Sequence, residues 1–417
     1  MIEFVKTLFT GFIKNGSLEL ELPRNYRFVL GDGFGQQLGL RCNDWQAIFE
    51  LLTDPEFQFG QLYMDGRLEV TKGTIYDVLM LIAANFWRPD RSRWLRVLET
   101  LKRLRRVYHL SNNRQRARSN AAHHYDFDAA FYSRFLDSGL QYSCAYFERG
   151  GQNLENAQLA KKRHLAAKLL IEPGQTVLDI GCGFGGLAIY LARFCGASVT
   201  GITLSQTQLN VARSKAAELG FAGVTDFRFS DYRDLTGHFG RIVSVGMFEH
   251  VGKAYYPAFF QKIMELLDEE GVALIHTIGR ADGPCLTNPW VEKYIFPGGY
   301  MPSLSEIMPA IEKSGLFVTD IEILRLHYAE TLKAWRARFL ANRATVAVRK
   351  GELFCRMWEL YLAGCECAFR CEGLVNFQIQ LSKKLGTVPL TRDYIGEAEA
   401  HLRQRDSAEV HLRLVGE

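Results

Sequence analysis

Long apolar runs are missing from this 417-residue sequence. The longest, VLMLIAANFW at residues 78–87, has about half of the roughly 20 residues that a membrane-spanning helix needs. The N-terminal stretch MIEFVKTLFTGFIKNG is interrupted by Glu3, Lys6 and Lys14, so it lacks the continuous apolar segment of a secretion signal. We therefore expect a protein that is not secreted and that meets any membrane peripherally.

Cysteine pairs of the metal-binding kind are also missing. The nine cysteines are odd in number and scattered along the chain, which is typical of reduced thiols in a cytosol. The stretch CECAFRC, with Cys365, Cys367 and Cys371, lacks the CxxC pairs of common zinc sites. Because free cysteines are most often buried, we expect these three to be buried side chains of a helix, and we predict no metal site.

Acidic residues are scarce in one segment, although the net charge of the chain is only +4. Between residues 88 and 118, only Asp90 and Glu99 oppose many lysines and arginines. The apolar residues of this segment recur at helical spacing, at Trp94, Leu98, Leu101, Leu104 and Tyr108. The pattern predicts a basic amphipathic helix, which either binds anionic lipid headgroups or links two domains with its charges solvated.

Two domains are expected, because the chain exceeds the size at which a single hydrophobic core stops growing. The first 90 residues alternate like strands and then show the helical period of WQAIFELL, which indicates a small α+β unit. From Pro173 onward, short apolar strands alternate with helix-length segments. This order predicts a mainly parallel sheet with helices on both faces. We place the N-terminal domain, with its basic linker helix, at residues 1–110 and the second domain at 111–417.

A glycine-rich turn follows the predicted strand TVLDI, where GCGFGG at residues 181–186 leads into a helix and matches GxGxxG. The motif alone is weak, because a dinucleotide site uses it too. Asp179 would repel a pyrophosphate, and the next strand, ASVTGITLS, has no acidic residue for a dinucleotide ribose. A cationic cofactor without phosphate, S-adenosylmethionine, is favoured, and a dinucleotide oxidoreductase is the competing interpretation.

Eight motifs, the first of which contains the glycine turn, carry a resemblance: VLDIGCGFGG, GITLSQTQ, DYRDL, SVGMFEHVG, HTIG, KYIFPGGYMPS, HYAETL and QYSCAYFERG. With this ordered set, residues 121–383 resemble the cyclopropane fatty acid synthase family, and GQLYMDGRLEV resembles the extra N-terminal domain of its phospholipid-acting members. The resemblance implies an α/β fold. A Rossmann-like class I methyltransferase domain with a seven-stranded, mostly parallel sheet would follow a smaller α+β domain.

The resemblance also implies which residues bind S-adenosylmethionine. The positions that match are Tyr142, Ser143, Asp179, Gly181, Gly183, Thr203, Leu204, Gln208, Asp231 and Tyr232. Asp231 and Ser143 have an alternative interpretation as turn or cap residues. His123 and His124 would belong to a lid helix over the cofactor.

The implied chemistry requires a base. Methyl transfer to a double bond leaves a carbocation, and ring closure then removes a proton from the added methyl group. In the family this base is a bound bicarbonate, and the matching residues are Cys144, Glu249, His276, Ile278 and Tyr328. Cys144 and Ile278 would donate main-chain N–H groups, and Glu249 would accept the bicarbonate hydroxyl proton. The pattern places Glu249 and His276 just beyond two strands, RIVSVGMF and VALIH.

Cys144 and the aromatic residues are candidates for two further roles, as a nucleophile and as stabilisers of a cation. No basic residue lies within four positions of Cys144, so its thiol lacks the neighbour that would make it a nucleophile. Aromatic faces stabilise cations, although aromatics at regular spacing are more often core. The candidates are Tyr146, Phe147, Phe184, Phe248, Trp290, Phe296 and Tyr328.

The resemblance therefore implies an S-adenosylmethionine-dependent C-methyltransferase. It would transfer a methylene unit to the cis double bond of unsaturated acyl chains in membrane phospholipids and form cyclopropane fatty acids. Alternatives are a related enzyme with methyl-branched or methylene products, and a lipid-binding protein without turnover. We expect a cytoplasmic homodimer, docked through its N-terminal domain on the inner face of the membrane, with phospholipids and no nucleic acid as partners.

Overall fold

The computed structural model describes residues 6, 7, 9, 10, 13–86 and 129–415, with side chains to residue 406 except for that of residue 86. Contacts divide the chain into two compact units. The first comprises Met1–His109, Leu286–Pro297 and Leu332–Leu374, and the second comprises Leu110–Cys285, Gly298–Thr331 and Val375–Glu417. The predicted division into residues 1–110 and 111–417 stays a prediction. The functions assigned to the two domains stay predictions.

Two predicted features lie outside the described residues: the basic helix between residues 88 and 118, and the lid helix with His123 and His124. The stretch CECAFRC is described and forms the end of the helix Glu352–Cys371, where Cys367 is buried as expected but Cys365 and Cys371 are only partly buried. Among the residues that the structure describes, no cluster of three or more His, Cys, Asp or Glu side chains could hold a metal ion. No helix in these described ranges is long and apolar enough to cross a membrane.

The first unit contains a four-stranded mixed sheet in the order β2-β1-β3-β4. Its strands are β1 (Ser17–Leu22), β2 (Tyr26–Leu30), β3 (Gln37–Cys42) and β4 (Leu68–Lys72). Strands β1 and β3 are parallel, and the other pairs are antiparallel. The helices of this unit are Trp45–Thr53, Pro55–Met64, Ile75–Phe86, Pro289–Tyr294, Glu352–Cys371 and residues 332–350 of His327–Lys350. The predicted α+β unit is confirmed.

The second unit contains a seven-stranded sheet in the order β10-β11-β9-β8-β5-β6-β7. Its strands are β5 (Thr176–Ile180), β6 (Ser198–Thr203), β7 (Thr225–Phe229), β8 (Phe239–Val245), β9 (Leu267–Arg280), β10 (Phe317–Leu324) and β11 (Leu374–Ser382). The strands from β7 to β9 pair in parallel, and β10 pairs with β11 in antiparallel fashion. The predicted mainly parallel sheet is therefore confirmed.

Helices cover both faces of this sheet because its central strands are apolar on both faces. On β5, Val177 packs into one hydrophobic cluster and its neighbour Leu178 into the other, as expected for side chains that alternate across a sheet. The helices of the unit are Ala129–Tyr132, Leu154–Leu169, Gly186–Cys195, Gln206–Glu218, Tyr256–Leu266, Leu304–Ser314, Asp393–Val415 and the first turn of His327–Lys350.

The chain reverses its direction across the sheet at β5. It passes from β5 to β6 and β7 on one side, and then returns to β8 on the other side of β5. Open α/β sheets bind ligands in the crevice at the carboxyl ends of the strands that flank such a switch point. The topology therefore predicts a ligand site at the loops that follow β5 and β8.

Candidate active site

The loop after β5 requires glycine at two predicted positions. Gly181 and Gly183 have φ angles of +83° and +54°, in the left-handed region that side chains disfavour. A Cβ atom on Gly181 would lie 2.8 Å from Cβ of Met247, closer than any ordinary contact. The loop then enters the helix Gly186–Cys195. At Gly183, by contrast, a Cβ atom would meet no described atom within 4 Å, so the peptide backbone is open to a ligand there.

All ten residues predicted to contact the cofactor line one pocket beside this loop. The pocket is also lined by residues that the motifs did not single out, among them Leu140, Gln141, Gly246, Met247 and His250. Burial lowers the pKa of His250 to about 4, so its imidazole is neutral. The structure thus brings the predicted positions together, and their role in binding stays a prediction.

A buried lysine organises the wall of the pocket. The Lys161 side chain is fully buried, and its Nζ donates to Ser143 Oγ at 2.8 Å and to Gln141 Oε1 at 2.9 Å. Asp179, at the end of β5, is 2 % exposed, and its Oδ2 has no hydrogen-bond partner. Burial raises the pKa of Asp179, and Lys161 opposes that rise. An unpartnered carboxylate oxygen here fits a positively charged group of a ligand.

The carboxyl end of β6 supplies neutral polar groups to the pocket. The Thr203 hydroxyl donates to Gln208 Oε1 at 2.8 Å and accepts from the Ser205 N–H at 3.1 Å. Ser205 Oγ also accepts from the Gln208 N–H at 3.3 Å, which begins the helix Gln206–Glu218. These contacts hold Thr203 and Gln208 in one orientation at the pocket.

The position of Asp231 agrees with both roles predicted from the sequence, as a helix cap and as a residue of the cofactor pocket. Its side chain accepts from the Arg233 N–H at 3.0 Å and caps the short 3-10 helix Tyr232–Asp234. It also pairs with the Arg233 guanidinium at 2.6 Å and lines the pocket. The cap role is present, and it places the carboxylate at the pocket surface.

Glu249 and Ile278, two of the predicted bicarbonate ligands, are in direct contact. The Ile278 N–H donates to Glu249 Oε1 at 2.6 Å, so this N–H already has an acceptor. Glu249 Oε2 is buried and has no partner. Burial raises the pKa of the Glu249 carboxyl to about 7, against the effect of the Ile278 N–H. The unpartnered oxygen is suited to accept a proton from a hydroxyl group.

The sequence pattern placed His276 just beyond a strand, and this was wrong. His276 lies within β9, because β9 continues to Arg280. It is the register partner of Val245 at the end of β8, and its carbonyl accepts from the Gly246 N–H at 2.9 Å. Burial lowers the pKa of His276 to about 3. The imidazole is therefore neutral and offers one donor and one acceptor.

Two amides that sequence reasoning missed contact the His276 ring. Asn376 Nδ2 lies 3.2 Å from Nε2, and Gln378 Nε2 lies 3.2 Å from Nδ1. Both belong to β11, the neighbour of β9. The signal in the sequence is the alternation of amides with apolar residues in LVNFQIQLS, a strand that is buried over its whole length.

Cys144 and Tyr328 lie on segments that contact each other. Cys144 is fully buried, its thiol donates to the Ala145 carbonyl at 3.3 Å, and burial raises its pKa. The Ala145 N–H donates to Thr331 Oγ1 at 3.0 Å, one helical turn after the buried Tyr328. A thiol in this environment stays protonated, in agreement with the absence of an activating neighbour in the sequence.

The aromatic candidates divide into core and pocket residues. Phe248 is fully buried and stacks on Tyr256 at 4.5 Å, and Tyr146 is sandwiched between His164 at 4.1 Å and His327 at 5.0 Å. Phe184 lines the pocket. Trp290 and Phe296 belong to the first unit. Only Phe184 among these five therefore faces the cofactor pocket.

Comparisons with known proteins identify a family. The model described as mycolic acid cyclopropane synthetase matches residues 112–379. The "Probable fatty acid methyltransferase" of Pseudomonas putida is 35% identical over 378 residues, covering 88% of this chain and 92% of its own. The cyclopropane-fatty-acyl-phospholipid synthase of Escherichia coli K12 is 40% identical over 335 residues, covering 80% and 85%.

A solved structure gives the same result. The mycolic acid cyclopropane synthase CmaA1, complexed with SAH and CTAB, is 32% identical with a TM-score of 0.60. The match covers 63% of this chain and 97% of that one. The comparisons confirm the family that the motifs indicated, and the ligand of this relative supports a cofactor of the S-adenosylmethionine type.

The first prediction concerns the glycine loop. Gly181→Ala should lower the affinity for S-adenosylhomocysteine by about tenfold or more, because the new Cβ would collide with Met247 and displace the loop. Isothermal titration calorimetry measures this. The matched control is Gly220→Ala, where φ is +78° but nothing lies within 4 Å of the new Cβ. An equal loss of affinity in both variants would refute the argument.

Proposed function

The chain belongs to the mycolic acid cyclopropane synthetase family of S-adenosylmethionine-dependent methyltransferases, and on this premise we propose that it forms cyclopropane fatty acids. The substrates would be the cis double bonds of unsaturated acyl chains in membrane phospholipids. The observation that carries the proposal is the similarity to a cyclopropane-fatty-acyl-phospholipid synthase over 80% of the chain. The relative named as a fatty acid methyltransferase favours a second candidate, in which methyl-branched or methylene products form.

The cofactor pocket fits this chemistry. S-adenosylmethionine, when bound, supplies an electrophilic methyl group. Asp179 would face a cationic part of it, since Oδ2 is buried and lacks a partner, and the left-handed turn at Gly181 lets the backbone approach it closely. Lys161 holds Ser143 and Gln141 in place. The residues of the chain thus bind and orient, which aligns the methyl group with a double bond.

The second cluster fits an anion with a hydroxyl group. Bicarbonate, when bound, supplies the base that removes a proton from the added methyl group. Glu249 Oε2 would accept the hydroxyl proton of the anion, and neutral His276 and the Tyr328 hydroxyl would donate hydrogen bonds to it. The main-chain N–H of Cys144 would be a further donor. The Ile278 N–H would be shared with Glu249, which it already contacts.

The product assay tests the function. Purified protein, S-adenosylmethionine and vesicles of a defined monounsaturated phospholipid should yield acyl chains with one additional carbon and two additional hydrogens. Mass spectrometry detects this gain, and NMR shows the ring protons of a cyclopropane. Methylene protons without ring protons would favour the second candidate. No gain in mass would contradict both.

The role of Glu249 predicts a pH dependence. Accepting a proton requires the ionised carboxylate, and its pKa is raised to about 7. At constant bicarbonate concentration, the rate should therefore rise between about pH 6 and pH 8. Glu249→Gln should lower the rate about 100-fold and remove this rise. A variant with the wild-type profile would contradict the role.

Stability provides the control for the same variant. Because the pKa of Glu249 is raised in the folded state, its contribution to stability is present at low pH and lost as the pH rises through about 7. Glu249→Gln cannot ionise, so it should melt higher than the wild type above that pH. Unchanged affinity for S-adenosylhomocysteine would show that the pocket is intact.

The first unit carries a surface suited to a bilayer. Four exposed apolar side chains lie within its first 50 residues: Phe34 (77 % exposed), Phe49 (68 %), Val29 (50 %) and Tyr26 (42 %). Arg27 lies on β2, an edge strand of the sheet; its side chain is 55 % exposed and pairs with Glu21 at 3.0 Å. The proposal therefore docks this unit on the inner face of the membrane, where anionic headgroups attract basic side chains. Assembly as a homodimer stays a prediction.

Vesicle binding tests this surface. Phe34→Ser should lower the affinity for vesicles of anionic phospholipid about tenfold, since burial of a phenylalanine side chain contributes about 1.5 to 3 kcal/mol. Co-sedimentation with the vesicles measures it. Leu390→Ser, which changes a fully exposed apolar residue of the second unit, is the control. Equal losses of vesicle affinity in both variants would show that the surface around Phe34 is not a specific membrane-binding site.

A further inference from the structure

The His276 ring poses a hydrogen-bonding problem. Both of its nitrogens face amide nitrogens, Nε2 of Gln378 and Nδ2 of Asn376, at 3.2 Å each. A neutral imidazole has one N–H and one lone pair, and an amide nitrogen can only donate. Two donors on one neutral ring cannot both be satisfied, so one of the two amides must turn its oxygen to the ring.

Gln378 is the amide whose orientation is fixed. Its Oε1 accepts from Lys168 Nζ at 2.9 Å, and an ammonium group can only donate. If the amide were turned over, its NH2 group would face the ammonium. Gln378 Nε2 therefore points at His276 and donates to Nδ1. It follows that Nδ1 carries the lone pair and Nε2 carries the proton.

Asn376 is free to complete this arrangement. Its Oδ1 is buried and has no hydrogen-bond partner among the described residues. Amide oxygen and nitrogen have nearly the same shape, so their positions are decided by the neighbours. Turning the Asn376 amide over makes Oδ1 an acceptor beside His276 Nε2, and the Nε2 proton is then shared between Oδ1 and the anion in a three-centre hydrogen bond. Both amides thus agree with the same tautomer, and only Gln378 imposes it.

Lys168 is itself held in place by charge. Its side chain is fully buried, it contacts Glu322, and it lies 3.7 Å from Asp320 on the same strand, β10. Glu322 also accepts a bond from His164 Nε2 at 2.7 Å, and His164 Nδ1 contacts Glu399 at 2.6 Å. Glu322 is the register partner of Gln378. The ammonium is therefore anchored directly above the amide that it orients.

We propose that Gln378, anchored by Lys168, is a positioning residue that holds His276 in the tautomer with its proton on Nε2. The inference rests on the proposed function, in which His276 donates a hydrogen bond to an anion beside Glu249. With the proton on Nδ1, the ring would present a lone pair to that anion and repel it. Gln378 is not among the residues that line the cofactor pocket, and its side chain bonds Lys168 and His276.

Gln378→Glu tests the tautomer directly. A carboxylate accepts from Lys168 as before, but it cannot donate to Nδ1, so the proton should move to Nδ1. Long-range proton–nitrogen NMR on protein labelled with 15N-histidine reads the state of each ring nitrogen, and His276→Gln identifies the signals. We expect an unprotonated Nδ1 in the wild type and a protonated Nδ1 in Gln378→Glu. The proposal is overturned if the wild-type Nδ1 is protonated or if the substitution changes neither nitrogen.

Kinetics provide the second readout. In degassed buffer, the bicarbonate concentration for half-maximal activity should rise about tenfold in Gln378→Glu, while the KM for S-adenosylmethionine stays the same. Equal changes in both constants would indicate general damage and count against a positioning role. The matched control is Gln380→Glu, which adds the same charge to the same face of β11 but contacts Thr319, Tyr394 and the Lys168 carbonyl, not His276.

The two proposals can fail separately. If the wild-type enzyme does not respond to bicarbonate, the proposed base is wrong, and the NMR signals of His276 still decide the role of Gln378. If Gln378→Glu does not fold, the wild-type Nδ1 signal alone decides it.

Discussion

Two lysine amino groups are buried on one face of the helix Leu154–Leu169, where burial lowers the pKa of both, and both candidate sites are arranged around them. Lys161 and Lys168 are seven residues apart, which is about two helical turns, and each is fully buried. A buried charge is tolerated only when it is paired or well hydrogen-bonded. Lys161 donates hydrogen bonds to Ser143 and Gln141 in the pocket wall, and Lys168 donates to Gln378 and pairs with Glu322. One helix therefore orders the cofactor pocket and the histidine together.

The features of the fold that could be predicted are encoded in local sequence patterns, and the features that could not be predicted depend on contacts between distant parts of the chain. Strand-sized apolar segments, the glycine turn at Gly181 and the polar ends of strands are encoded within a few residues, which is why the seven-stranded sheet and the family could be predicted. Residues 286–297 and 332–374 join the first unit through contacts between distant parts of the chain. No local period records such contacts, so the sequence offered only a single division near residue 110.

The site was predictable where it is built from loops at strand ends. Eight of the ten predicted cofactor residues meet at one pocket because they lie at or just after the carboxyl ends of β5, β6 and β7, whereas Tyr142 and Ser143 reach the same pocket from the segment before the helix Leu154–Leu169. The sequence pattern predicted His276 to lie just after a strand, because a polar histidine after the apolar residues VALI usually marks the end of an apolar strand. As a neutral ring bonded by amides, it continues β9 without cost. Its partners lie about 100 residues further on, and their only local trace is the alternation of amides.

That alternation also constrains how the sheet assembles. On β11, Phe377, Ile379 and Leu381 pack into a hydrophobic cluster, while the intervening amides satisfy Lys168 and His276. A shift of the strand by one residue would place an isoleucine under the ammonium and a glutamine in the cluster. Misalignment is thus penalised on both faces at once. The polar groups that orient the histidine also select the correct register for the last strand of the sheet.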